Sequence, residues 1–296
     1  MQRKFKFDKC LDVRKWLAAA ITDEEVYSSD PLWRNAPSAE EMYEERLRRT
    51  KFLRKHGRIF PDAAAVADRL ETCEPGQRCL SGACPECGRL FQRWFVRRSK
   101  KFIAKYIIRD ERELIAISIV PRDAVRRAGQ LHTGDIINLQ RRLKYALDKT
   151  HISIALGAID FSFDEDREGK YPAFWCPHFY LITSTSKKNK LRVRLQKIYS
   201  KTKAILKPVF ISAFRNISER RSYALKMKFN RRIGYNEVDQ KDGIIQQCRN
   251  ASCDELRAAE RLELFVYLDQ IGLADRVIFR GAKPVVKVGT AKIVKC

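Results

Sequence analysis

The sequence has no apolar run near the roughly 20 residues that a membrane-spanning helix needs, and it carries no lipidation signal. Its first residues, MQRKFKFDKC, lack the apolar centre of a secretory leader, so an intracellular, cytoplasmic protein is expected. Glycine and proline are scarce, 13 and 10 among 296 residues, while 45% of the chain is hydrophobic; this argues for a folded chain over a disordered one. The largest shortage is of acidic side chains, 36 against 60 Lys and Arg, which leaves a net charge of +24. Such an excess opposes compaction unless a polyanion balances it. With a membrane disfavoured, nucleic acid is the expected partner.

Cysteine is plentiful, but a disulfide-stapled secreted protein would be shorter and would carry a leader. Four of the nine cysteines fall in one stretch, CEPGQRCLSGACPEC, as Cys73, Cys79, Cys84 and Cys87. Thiolates two residues apart across a tight turn grip one tetrahedral Zn²⁺, and four thiolates close its coordination shell, so a structural zinc knuckle is expected. Cys73 has the loosest spacing of the four. A redox role for C-x-x-C would need a thioredoxin-like setting that the neighbouring sequence does not offer.

Ahead of the knuckle, residues 1–72 read as a helical region. Trp16 and Leu17 belong to an apolar stripe, Ser38-Ala39-Glu40-Glu41 forms a capping box that opens a charged helix through Lys55, and Pro61 starts an Ala-rich helix ending near Leu70. After the knuckle, RLFQRWFVRRSKKFIAKYIIR interleaves Arg89, Arg93, Arg97, Arg98, Lys100, Lys101 and Lys105 with aromatic residues. As a helix through residue 106 it would turn the aromatics to the core and the basic groups to solvent, giving a phosphate-tracking face.

From Leu114 the period changes to that of strands. LIAISIV reads as a buried strand ended by Pro121, Asp135 to Asp148 as an amphipathic helix, Ile152 to Asp164 as a strand, and Phe174 to Ile182 as its hairpin partner. A basic helix over Leu191 to Leu206, a strand over Pro208 to Phe214 and a helix over Ser218 to Phe229 follow. Strand, helix, strand, strand, helix, strand is the split β-α-β order of ferredoxin-like folds, so an α+β protein is expected, with an antiparallel sheet, helices on one face and the other face open. Residues 236–296 add an amphipathic helix over Cys253 to Ile271 and short closing strands.

Side chains alternate across a strand, so FWCPHFYLI loads one face with Cys176, His178 and Tyr180 and the other with Trp175, Phe179 and Leu181. Asp160 on the neighbouring strand would share the loaded face, and Asp160, His178 and Cys176 could together hold a divalent cation. In RRSYALK, Tyr223 and Lys226 are three residues apart and would share a helix face, placing an ammonium beside a phenol. Arg215, Arg220, Arg221, Lys228, Arg231 and Arg232 surround that pair and would form a phosphate-binding rim.

Knuckle, strand, helix, hairpin ending in C-P-H-F-Y, helix, strand and Y-x-x-K, taken in this order over residues 73–235, resemble the HUH endonucleases, in particular the zinc-knuckle replication initiators of rolling-circle plasmids and related transposases. The resemblance implies a nuclease domain over residues 107–235. It also implies a Mg²⁺ or Mn²⁺ site at His178 with Asp160 as acidic ligand, and Tyr223 as the nucleophile with Lys226 as its partner. The implied reaction nicks single-stranded or hairpin origin DNA and leaves a 5′-phosphotyrosine. Tyr180 stands where the family has its second histidine, and Cys176 where it often has another. Two functions therefore stay open, a nicking replication initiator and a catalytically inactive module that binds DNA or RNA.

Overall fold

The computed structural model describes residues 13–21, 32–33, 36–108, 112–203, 205–214, 217–238, 245–249, 254–287 and 289–296. Arg215 and Cys253 lie outside them.

The protein is α+β. Among the described residues three helices open it: α1 (Val13–Ala20), α2 (Ala39–Gly57) and α3 (Pro61–Glu71). The expected capping box is present at α2, where Ser38 Oγ accepts the Glu41 N–H at 3.0 Å and Glu41 Oε2 accepts the Ser38 N–H at 2.6 Å. Pro61 occupies the first turn of α3, where its missing N–H costs nothing. The cysteine segment leads into α4 (Pro85–Phe102), capped by Cys84 and continued as a π turn over Ile103–Ile107.

Strands β1 (Glu113–Ile119), β3 (Ala155–Asp166), β4 (Phe174–Thr185) and β5 (Val209–Ala213) lie in the order β5-β1-β4-β3, every neighbour antiparallel. A short β2 (Arg126–Arg127) pairs with β4. Helix α5 (Ile136–Lys149) joins β1 to β3, with Asp135 Oδ1 accepting the Asn138 N–H as its cap, and α6 (Lys188–Ile198) joins β4 to β5.

Past β5 the chain departs from the expected pattern. Helix α7 (Ile217–Tyr223) stops at Tyr223, and β6 (Asn230–Val238) runs parallel to the end of β3, pairing Phe163 with Arg231. The sheet is therefore mixed. Strand β6 is antiparallel in turn to β7 (Ile245–Arg249) and β8 (Asp254–Glu255). Helix α8 (Ala258–Ile271) begins later than the Cys253 expected from sequence because β8 takes the preceding residues. Strand β9 (Val277–Arg280) pairs with the start of β3, and β10 (Ala282–Lys287) and β11 (Thr290–Lys295) close the chain as a hairpin.

Helix α8 locks onto the sheet through one carboxylate. Glu263 accepts the Gly129 and Leu131 N–H groups at 2.9 and 2.6 Å and the Trp175 indole N–H at 2.7 Å, so donors of two buried residues, Leu131 and Trp175, are satisfied together with that of the exposed Gly129. Trp16 of α1 packs on Phe91 and Trp94 of α4 and on Phe279 of β9. Buried apolar side chains from the opening helices, the cysteine segment, the sheet and the closing hairpin form one continuous core.

On the hairpin of β3 and β4, a Cβ at Gly157 would fall 2.0 Å from the Tyr180 carbonyl oxygen. The obstruction is backbone, so it cannot swing aside. Replacing Gly157 by Ala is expected to destabilise the fold by about 3 kcal/mol, read as a lower midpoint in urea denaturation.

Candidate functional site

The cysteine segment forms a compact thiol cluster. Cys73, Cys84 and Cys87 are buried and Cys79 is half-buried, and their sulfurs all lie within 4.8 Å of one another. The Cys73 to Cys87, Cys79 to Cys87 and Cys73 to Cys84 sulfur separations are 3.6, 3.7 and 3.7 Å. These are far longer than a disulfide. A tetrahedral thiolate site with metal–sulfur bonds of about 2.3 Å has edges of about 3.8 Å, so the four cysteines are spaced to hold one metal ion such as zinc. Cys73, the loosest in sequence, joins fully.

Residues that the sequence reading did not single out hold this cluster. Glu86 pairs with Arg46 at 2.5 Å and with Arg78 at 2.7 Å, Arg46 Nη1 donates to the Leu70 carbonyl, and Arg49 Nη1 donates to the Ala83 carbonyl. Leu80 takes a left-handed backbone (φ 57°), an unfavourable state for a branched side chain. The next residue fixes that turn, since Ser81 Oγ donates to Asp269 of α8 at 2.6 Å and accepts the Ala83 N–H at 3.1 Å.

Helix α4 carries the cluster's position to the sheet. Gly88 lies against Met227, and Gln92 Nε2 donates to the Ser222 carbonyl at 2.6 Å, at the end of α7. Its aromatics Phe91, Trp94, Phe95 and Phe102 are core, as the helical period implies. Its basic face is less open than expected. Arg89 and Arg93 are buried, with Arg89 Nε donating to the Pro37 carbonyl at 2.7 Å, so these two serve packing and leave Arg97, Arg98, Lys100 and Lys101 toward the surface.

On the hairpin, Asp160 faces His178, Ser162 faces Cys176 and Ala158 faces Tyr180, so the alternation read from sequence places these side chains on one face. That face is closed over. Asp160, His178 and Cys176 are buried, with Lys226 of the turn that follows α7 set against Asp160, and Tyr180 is half-buried. Because α7 ends at Tyr223, Lys226 reaches the site from this turn and not from a shared helix face.

Lys226 Nζ lies 2.8 Å from Asp160 Oδ2, and His178 Nε2 lies 3.3 Å from the same oxygen. Lys226 forms an ion pair with the carboxylate, and the His178 imidazole stands beside it. Asp160 Oδ1 accepts the Phe161 N–H, and His178 Nδ1 lies 3.1 Å from the Cys176 carbonyl. Burial alone would raise the Asp160 pKa, but Lys226 and His178 outweigh it and hold the carboxyl well below its ordinary range. For Lys226 burial opposes the charge, and Asp160 more than restores it, so its pKa is raised. Burial pushes the Tyr180 phenol up to about 12, leaving it a neutral hydroxyl.

Tyr223 is 43% exposed, with its ring 5.1 Å from Lys226 Nζ and 5.3 Å from the Tyr180 ring. Around it the expected rim divides. Lys228 is exposed and Arg220 and Arg232 are half-buried, Arg220 donating to Ser212 Oγ at 2.8 Å. Arg221 and Arg231 are buried, and Arg231 is spent on Glu165 and on Glu260, the latter at 3.1 Å. Arg276, also missed from sequence, is buried beneath the turn and donates to the Lys226 carbonyl at 3.2 Å.

No family model matches this chain, and neither does any curated protein or solved structure. The ligand atoms of Asp160, His178 and Cys176 do not gather within 4.8 Å of one another as the thiols do, and the Lys226 ammonium takes the place against Oδ2 that a divalent ion would need. A thiol and a neutral phenol are also poor donors to Mg²⁺ or Mn²⁺. The expected divalent site does not assemble.

Two outcomes follow. Purified protein should contain about one metal ion per chain by elemental analysis, and Cys87→Ser should lose it together with at least about 3 kcal/mol of stability. At the other centre, Lys226→Met leaves a buried carboxylate without its nearest cation and should cost about 3 kcal/mol at pH 7. Asp160 has a depressed folded pKa, so its contribution is present above the unfolded value near 3.9 and is lost as pH falls through the folded one. The gap between wild type and variant should therefore narrow progressively as pH falls below about 4 in denaturation curves; a gap constant down to pH 2 would show that Lys226 acts by packing alone.

Proposed function

We propose that this chain binds nucleic acid as a replication-initiator-like protein of the HUH kind and that Tyr223 nicks single-stranded DNA. The antiparallel order β5-β1-β4-β3 with its two crossover helices supports a ferredoxin-like reading of the central sheet, and the thiol spacing supports zinc as the knuckle's metal. One observation carries the proposal: an exposed phenol stands beside an ammonium that a fully buried carboxylate holds in its charged form.

In this reading a backbone phosphate rests against Lys226, with Arg232 and Lys228 toward its flanks. The Tyr223 oxygen attacks phosphorus as its proton passes to water, the P–O3′ bond breaks, and the leaving oxygen takes up a proton. The products are a 5′-phosphotyrosyl adduct and a free 3′-hydroxyl. The cation beside the reacting phosphate is Lys226, which supplies the charge that a divalent ion supplies in the resembled family.

The closed face and the incomplete divalent site favour a second reading, a binding module that has lost the reaction. Incubation with origin-like single-stranded oligonucleotides separates the two. The first reading expects a denaturation-resistant adduct with or without Mn²⁺, absent in Tyr223→Phe, while DNA binding by that variant is unchanged. An adduct that requires Mn²⁺ would show that a metal displaces Lys226. Binding with no adduct under either condition would leave the second reading.

A further inference from the structure

A second basic site lies away from Tyr223, at the far end of β4. Ser184 is six residues beyond His178, about 20 Å along the strand. Here the end of β4 and the start of α6 border a cavity of about 290 Å³. Four cationic side chains line it, Arg112, Lys187, Lys190 and Arg194, together with the hydroxyls of Ser184 and Ser186, and none of the described lining residues is acidic. Among the described residues none of the four cations has an ion-pair partner; the neighbouring carboxylate of Glu113 pairs with Lys188 instead, at 3.4 Å.

The start of α6 makes this placement costly. Helix N-termini favour acidic residues and a side-chain cap, because their free N–H groups carry partial positive charge. Helix α6 has neither: Lys187 is its N-cap, Lys188 and Lys190 fall in its first turn, and no side chain caps it. Cations on the positive end of a helix, converging with two arginines on one cavity, repel one another unless an anion sits among them.

We infer that this cavity is a phosphate-binding site, taking one phosphate group with its ester from either the 5′-phosphorylated end of a nucleic-acid strand or a free polyphosphate compound. The volume is at the lower end for ligand pockets, enough for a phosphate and part of what it is attached to. Lysine and serine donors around a helix N-terminus are the chemistry that recognises a phosphate group with more than one charge. The site does not depend on Tyr223 or on any nicking activity.

Lys190→Glu tests this in the full chain, with Lys51→Glu on α2 as a control of equal charge change. Pyrophosphate should raise the melting temperature of wild type and of the Lys51→Glu control. The Lys190→Glu variant should melt at or above wild type without anion, since glutamate suits that helix position, and should lose about tenfold or more in apparent pyrophosphate affinity. A second arm compares single-stranded oligonucleotides with a 5′-phosphate and a 5′-hydroxyl by fluorescence anisotropy. A preference for the phosphorylated end that Lys190→Glu abolishes identifies a strand end; a response to pyrophosphate alone identifies a free compound. If wild type, Lys190→Glu and Lys51→Glu respond alike to both probes, the cavity is not a phosphate site.

Discussion

Asp160 has no solvent exposure, and a carboxylate so placed can stay charged only if cations accompany it into the sheet. The Lys226 ammonium does, with the His178 imidazole at its side, and the two come from different parts of the chain. His178 arrives through strand pairing, which any hairpin of this register would deliver. Lys226 arrives only if α7 ends at Tyr223 and the following turn folds back over the sheet. The demand for an ammonium at Oδ2 thus accounts for the closed face and for where Tyr223 stands, half out of the surface at the last position of its helix.

The thiol cluster supports that turn from behind. Cys84 occupies the N-cap position of α4 and Cys87 lies in its first turn, so a metal held by the four sulfurs would fix the start of the helix. One turn on, Gly88 meets Met227, and another turn on, Gln92 holds the Ser222 carbonyl. Arg49 bridges the same two regions, donating to the Ala83 carbonyl and, at 3.3 Å, to that of Met227. The thiol cluster and the Tyr223 turn are therefore one mechanical unit, though they are about 140 residues apart in sequence.

Much of this was legible in the sequence where a single period or spacing governs the outcome. The capping box at Ser38, the four clustered cysteines and the two faces of FWCPHFYLI each follow from a local rule, and the strand register then sets Asp160 opposite His178 without further information. What escaped was set by partners distant in sequence. Nothing near Tyr223 indicates that its helix ends there, because the cause is a carboxylate on β3. Nothing near Pro208 or Ser218 indicates that β6 will lie parallel to β3 and make the sheet mixed. The roles of Glu86, Glu263 and Arg276 are equally invisible locally, since each is defined by groups on other elements.

The net charge shows the same limit and where it ends. Counting lysine and arginine predicts a basic surface, but a guanidinium with five donors can also serve as an internal brace wherever carboxylates and carbonyls converge. Arg46 and Arg231 are used this way, each held by carboxylates, while Arg49 and Arg276 hold backbone carbonyls of the turn that carries Lys226. These buried arginines need no external anion. Lys187 and Lys190 at the start of α6 and Lys228 at the rim of Tyr223 are different, because among the described residues these ammonium groups have no carboxylate partner inside the fold. A polyanion would be held by these, and their separation along β4 means that one strand would have to span the sheet to touch both.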